Sequence, residues 1–191
     1  MRIFTTIAIS LLASSSAWAQ QPFWDCINDK SHPNHLDRRD PSRVDMARVV
    51  LAEETFDSIV SQIDGLAADP DGTAWVAAQF VSLAMLRPES AQAIAGLLKT
   101  SKEGSFERLN LARALVDADT VEAQCQLAKM VEEKTFDLSL RKTVIEAMNF
   151  IRIPTLDTFA RIKRLSESQD DEDIVAMARL LLQKLRVRGA F

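Results

Sequence analysis

Apolar residues recur at every third or fourth position through most of the chain after residue 41, with polar residues between them. This spacing is that of a helix with one buried face, whereas a half-buried strand would alternate strictly. Glycine is rare, and helix-forming alanine, leucine, glutamate and arginine are abundant. The pattern predicts an all-α protein whose eight helices carry the apolar stripes at 46–63, 75–85, 91–98, 106–116, 127–131, 140–151, 159–165 and 174–185.

Two helix starts are predicted from short polar motifs. Ser42 followed by Asp45 has the form of a capping box, and the stripe after it predicts one long helix that closes at Gly65. Asp119 followed by Glu122 is a second pair of this kind.

Segments of the predicted second helices repeat with a period of about 33 residues. Arg108–Leu115 aligns with Arg141–Met148 and then with Ile174–Leu181, each time at this offset. The first helices align less well, although Leu98 corresponds to Val131. A period of roughly 20 to 50 residues is typical of a solenoid. The alternative is an ordinary helical bundle whose similar helix lengths imitate a repeat.

The apolar faces of the predicted helical hairpins indicate that the hairpins stack on one another. A helical hairpin buries only one of its two apolar faces internally, so the next hairpin must cover the other. Small residues such as Ala112 and Ala128 would let adjacent helices approach closely.

Two motifs carry a family resemblance. Leu-Ala-Ala-Asp-Pro-Asp-Gly before Trp75, and Leu-Arg-x-x-Val-Ile-x-Ala-Met at Leu140–Met148, resemble HEAT-type repeats. The resemblance covers about 42–187 and implies a right-handed α-solenoid of about four helical hairpins, with a protein-binding or scaffolding role. The chain departs from the family pattern in having Asp-Pro only once within the repeats, and Ile174 where the pattern has arginine.

The N-terminus has the features of a secretory signal peptide. Arg2 is followed by an apolar run of about ten residues and by Ala17-Trp18-Ala19, a small-x-small cleavage pattern. We therefore expect residues 1–19 to be removed and the protein to be periplasmic or secreted. The apolar run is shorter than a membrane-spanning helix, and no later segment is long and apolar enough to span a bilayer.

Residues 20–41 differ in composition from the helical domain predicted for 42–191. Three prolines and several Asp and Asn residues make a long helix improbable there, while Phe23, Trp24 and Ile27 suit an irregular arm packed on the helices. The formal net charge of −4 lacks the concentrated basic surface that a nucleic-acid partner needs.

The arm holds the candidate metal ligands. His32 and His35, the two histidines of the chain, lie near Cys26 and several aspartates. Imidazole, thiolate and carboxylate groups together can bind a transition metal. Their spacing matches none of the ordered metal motifs, so the favoured interpretation is a polar turn with two exposed imidazoles.

Cys26 and Cys125 are the two cysteines, and an oxidising compartment would permit a disulfide between them. Such a bond would close a loop of about 100 residues and stabilise the fold by roughly 4 kcal/mol. The alternative is that Cys125 is a small core residue, and the sequence favours neither interpretation.

No nucleophile–base motif, zinc-protease motif or phosphate loop occurs in the sequence. We expect a non-catalytic exported scaffold or adaptor without a cofactor, which binds a protein or peptide along one helix of each repeat. The rival hypothesis is a metal-handling or enzymatic protein with its site at His32 and His35.

Overall fold

The computed structural model describes residues 32–33, 39–63 and 70–189, and helix is the only regular secondary structure in these ranges. The all-α prediction is therefore confirmed for this part of the chain. Its helices are α1 (Pro41–Leu51), α2 (Phe56–Ile63), α3 (Pro70–Leu86), α4 (Ser90–Thr100), α5 (Phe106–Ala118), α6 (Val121–Glu132), α7 (Leu138–Met148), α8 (Leu156–Ser166) and α9 (Glu172–Gly189).

The prediction of one long helix from Ser42 was wrong, because the chain breaks between α1 and α2. Ala52 has a positive φ of 46°, which ends α1. The Thr55 hydroxyl then accepts a hydrogen bond from the backbone N–H of Ser58, and the Ser58 hydroxyl accepts one from the backbone N–H of Thr55. These bonds satisfy backbone donors at the start of α2 that have no partner inside the helix.

Two predicted capping residues are each displaced by one or two positions. The N-cap of α1 is Asp40, whose carboxylate accepts from the N–H of Ser42 at 2.9 Å. The N-cap of α6 is Thr120, because Asp119 serves as the C-cap of α5 with a positive φ of 49°. Aspartate tolerates this left-handed conformation because its short side chain bonds locally.

The helices pack in two rows. Helices α1, α3, α5, α7 and α9, which we name the second-row helices, contact one another in that order, and α4, α6 and α8 of the first row do the same. Hairpin partners α2–α3, α4–α5, α6–α7 and α8–α9 also contact each other and so join the rows. Ala112 and Ala128, predicted to allow close approach, are both completely buried. Within the described ranges, none of the helices has the length and apolar character that crossing a membrane requires.

In three of the hairpins, an arginine of the second-row helix donates a hydrogen bond to a carbonyl at the end of the first-row helix. Arg108 donates to the carbonyl of Ser101 at 2.6 Å, and Arg141 donates to the carbonyl of Val131 at 2.9 Å. These carbonyls lie at the ends of α4 and α6, where helix carbonyls lose their internal partners. In the last hairpin, where Ile174 replaces the arginine, Arg179 donates instead to the carbonyl of Ser166 at 3.1 Å.

The same two arginines also bind the following hairpin. Arg108 contacts Asp137 at 3.2 Å, and Arg141 binds both carboxylate oxygens of Asp170 at 3.0 and 2.6 Å. Each pair spans 29 residues, and the second arginine and the second aspartate each lie one repeat period after the first. Polar contacts between neighbouring hairpins thus recur with the sequence period.

Candidate binding surface and docked arm residues

His32 of the predicted arm docks on the turn between α7 and α8. Its side chain is 3 % exposed, and its Nε2 lies 2.9 Å from the carbonyl oxygen of Ile153. A carbonyl can only accept, so this nitrogen carries the hydrogen. The interpretation of His32 as an exposed polar turn residue is therefore wrong, since burial and a specific backbone acceptor hold its ring.

Gln124 organises the surroundings of His32. Its amide nitrogen donates to the carbonyl of Ile153 at 2.8 Å and to Asp119 at 3.0 Å, and its amide oxygen accepts from the N–H of Thr155 at 2.9 Å. Gln124 is completely buried and its polar atoms are engaged, so it ties α6 to the α7–α8 turn. Gln124 was not predicted as a site residue, although a glutamine one repeat period after the buried Ala91 was a usable signal.

Cys125 follows Gln124 in α6, is 1 % exposed and is disulfide-bonded. Cys26, its predicted partner, lies outside the described residues, as does His35. The pairing with Cys26 therefore stays a prediction. In the part of the chain that the structure describes, no three His, Cys, Asp or Glu side chains are grouped so that they could hold a metal ion.

Arg39 and Arg43 contact the same edge of the helical stack. Arg39 lies 3.8 Å from Glu122 with both side chains largely buried, and Arg43 donates to the carbonyl of Asp117 at 3.0 Å. Burial lowers the pKa of Arg39, and the nearby Glu122 carboxylate opposes this shift. Residues just before and within the start of α1 thus meet the end of α5 and the start of α6.

Three of the four acidic residues at 170–173, which could suggest a cation site, have structural partners: Asp170, Asp171 and Asp173. Asp170 is held by Arg141, and these hydrogen bonds lower the pKa of Asp170. Asp171 accepts from the backbone N–H of Asp173 at the start of α9, and Asp173 binds Lys142 at 2.6 Å. These carboxylates therefore begin a helix and join two hairpins.

One surface recurs on three successive second-row helices. We name it the shared face, and it consists of positions one repeat period apart that remain at least partly exposed in α5, in α7 with the residues just after it, and in α9. Its three lines of residues are Asn110, Thr143 and Ala176; Arg113, Glu146 and Arg179; and Asp117, Phe150 and Gln183.

Positive charge gathers at one end of the shared face. Partial burial raises the pKa of the Asp117 carboxyl more than Arg152, Arg113 and Arg43 lower it, and all three arginines are close enough to act on this group. Phe150, which lies one repeat period after Asp117, is 64 % exposed. This end of the shared face therefore carries arginine side chains around Asp117 and an exposed aromatic ring at the equivalent position of the next repeat.

Compared with protein-family models, with curated proteins and with solved structures, the chain matches none of them.

Proposed function

We propose that the chain is an exported α-solenoid of HEAT-like hairpins that acts as a non-catalytic scaffold and binds a protein or peptide segment along the shared face. The observation that carries this proposal is the recurrence of exposed positions at the repeat period on α5, α7 and α9. An extended ligand that crosses these helices would meet equivalent positions at regular intervals.

The proposed solenoid has four hairpins, α2–α3, α4–α5, α6–α7 and α8–α9, preceded by α1. The contacts of each second-row helix with the next support this arrangement, as do the two arginine–aspartate pairs, Arg108–Asp137 and Arg141–Asp170. In a stack each hairpin contacts only its neighbours, and polar contacts between hairpins then recur near one repeat length.

The chemistry of the shared face suggests the nature of the partner. Arg113 is exposed and lies among the three arginines around Asp117, so the partner would bring a carboxylate to this end. Covering Phe150 requires an apolar side chain nearby. The partner segment is thus acidic with at least one large apolar residue, and its main chain would contact polar shared-face residues of α7 and α9 such as Thr143 and Gln183.

The proposal is tested by capturing envelope proteins with the purified chain and with two matched charge reversals. Arg113→Glu changes the shared face, whereas Lys163→Glu makes the same change at an exposed position of α8 in the first row. We expect a partner that the wild type and Lys163→Glu retain at near-native salt and that Arg113→Glu retains at least tenfold less. Equal retention by both variants, or no partner at all, would contradict the proposal.

A further inference from the structure

One side of α9, the last of the described second-row helices, is only partly covered by the other described helices. Met177, Leu180 and Lys184 lie along this side at helical spacing, and we name them the open stripe. Met177 packs partly against the core, and Lys184 donates to the side chain of Asn149 at 2.8 Å. Leu180 is 60 % exposed. The residues one and two repeat periods earlier are all at most 2 % exposed: Val144 and Leu111, Ala147 and Ala114, and Ile151 and Ala118. Positions that are buried in the two preceding repeats are therefore open at the end of the row.

A helix side that the rest of the described structure leaves exposed is expected to be polar, because an exposed stacking surface otherwise invites association. The open stripe has Leu180 there, and Val187, two turns beyond Leu180 on the same side, is 85 % exposed. Apolar residues that remain together on one exposed side indicate an interaction site.

The charges of α9 identify the occupant. The helix begins with Glu172 and Asp173 and ends with basic residues that include Lys184, Arg186 and Arg188. Leu180 lies near the middle of α9. When two copies of α9 pair antiparallel, the acidic start of each meets the basic end of the other, whereas parallel pairing would oppose like charges.

We propose that two copies of this chain associate through the open stripes of α9, antiparallel about a two-fold axis that passes close to Leu180. Each interface then uses the same patch twice, and the association closes at a dimer. The shared face lies on a different side of α9, so the dimer presents two copies of it.

The first helix of the row offers the competing arrangement. Met46 and Val49 of α1 are 69 % and 79 % exposed, and α9 of one copy could stack on α1 of the next. Such a head-to-tail contact does not close and produces open chains of copies. In α1, Asp45 and Arg48 pair with each other at 3.1 Å, so α1 shows no separation of charge to complement α9.

The association is measured by sedimentation of the chain, expressed from Met1 and purified as the cell processes it, at concentrations up to about 100 µM. We expect a dimer for the wild type, a monomer for Leu180→Asp, and a dimer for the control Val49→Asp on α1. A wild-type monomer over the whole range would overturn the proposal. Dissociation by Val49→Asp without an effect of Leu180→Asp would also overturn it, in favour of head-to-tail stacking.

Charge reversals test the antiparallel orientation. Asp173 and Lys184 are separated by about 16 Å along one helix, so they do not contact each other within a copy. We expect Asp173→Lys and Lys184→Glu each to weaken the dimer at least tenfold, and the double variant to restore it. Asp173 and Lys184 also bind Lys142 and Asn149 within the chain, so far-UV circular dichroism must first show that each variant folds. Folded single variants without rescue in the double variant would exclude the antiparallel pairing.

Discussion

The pair between Arg141 and Asp170 gives the sharpest prediction about how the hairpins hold together. Arg141 binds both oxygens of Asp170, and the two side chains are only 4 % and 5 % exposed. Asp170→Asn removes the negative charge and leaves a buried guanidinium whose one remaining backbone acceptor in this network is the carbonyl of Val131. Breaking a buried pair in this way costs roughly 3–5 kcal/mol, and because asparagine keeps one acceptor oxygen we expect a loss of about 3 kcal/mol.

The loss is measured by chemical and thermal unfolding. For a chain of this size about 3 kcal/mol corresponds to a fall in Tm of roughly 6 to 12 °C. Asp137→Asn is the matched control, because Asp137 pairs with Arg108 but its side chain is 50 % exposed. Asparagine is also a good N-cap, so the start of α7 is preserved, and we expect a loss below about 1 kcal/mol.

The pH dependence follows from the pKa of Asp170, which its hydrogen bonds with Arg141 lower. A carboxyl with a lowered pKa in the folded state stabilises the fold above its unfolded pKa of about 3.9, and this contribution is lost as the pH falls towards the folded pKa. The difference between wild type and Asp170→Asn should therefore be constant from about pH 5 to 7 and shrink below about pH 4. Equal losses in Asp170→Asn and Asp137→Asn, or a difference that does not change in acid, would refute this reasoning.

Three further predictions concern the docked residues. Gln124→Ala removes three hydrogen bonds from a buried site and should cost about 2 to 4 kcal/mol in unfolding experiments, and a loss below about 0.5 kcal/mol would contradict the assigned hydrogen bonds. His32→Ala should lower stability by about 1 to 3 kcal/mol and leave the metal content of the purified protein unchanged, and a loss of bound metal would instead support the metal-handling hypothesis. Cys26→Ser should free the thiol of Cys125 and cost up to roughly 4 kcal/mol, and thiol titration of the unfolded wild type should find no free thiol, whereas two free thiols would contradict the predicted pairing.

The spacing of apolar residues predicted which segments are helical, but it did not predict where a helix is interrupted. Apolar residues at helical spacing predicted the helices because one face of each is buried. The break at Ala52 was missed, since the apolar stripes of α1 and α2 read as continuous. Only the mutual bonds of Thr55 and Ser58 mark the second start, and a threonine followed three residues later by serine is a weak signal.

The candidate site depended more on contacts that are distant in sequence. The spacing of Arg108 and Arg141 was read as a repeat, but their aspartate partners were not identified, although Asp137 and Asp170 have the same spacing. The burial of His32 could not be predicted, because its partner is a backbone carbonyl 121 residues away. The residues around His32 in the sequence do not indicate which distant backbone carbonyl will accept its hydrogen bond.

Distances across the shared face test the proposed stack most directly. Arg113, Glu146 and Arg179 are exposed and lie at equivalent positions of α5, α7 and α9, so each can carry a spin label on an introduced cysteine. Adjacent helix axes lie roughly 8–10 Å apart, and stacking predicts a step of about 10 Å from position 113 to 146 and again from 146 to 179. Pulsed electron paramagnetic resonance should then find the 113–179 distance to be about 20 Å, twice the single step. A 113–179 distance no longer than the 113–146 distance would show helices closed around one centre, and the proposed solenoid with its shared face would be wrong.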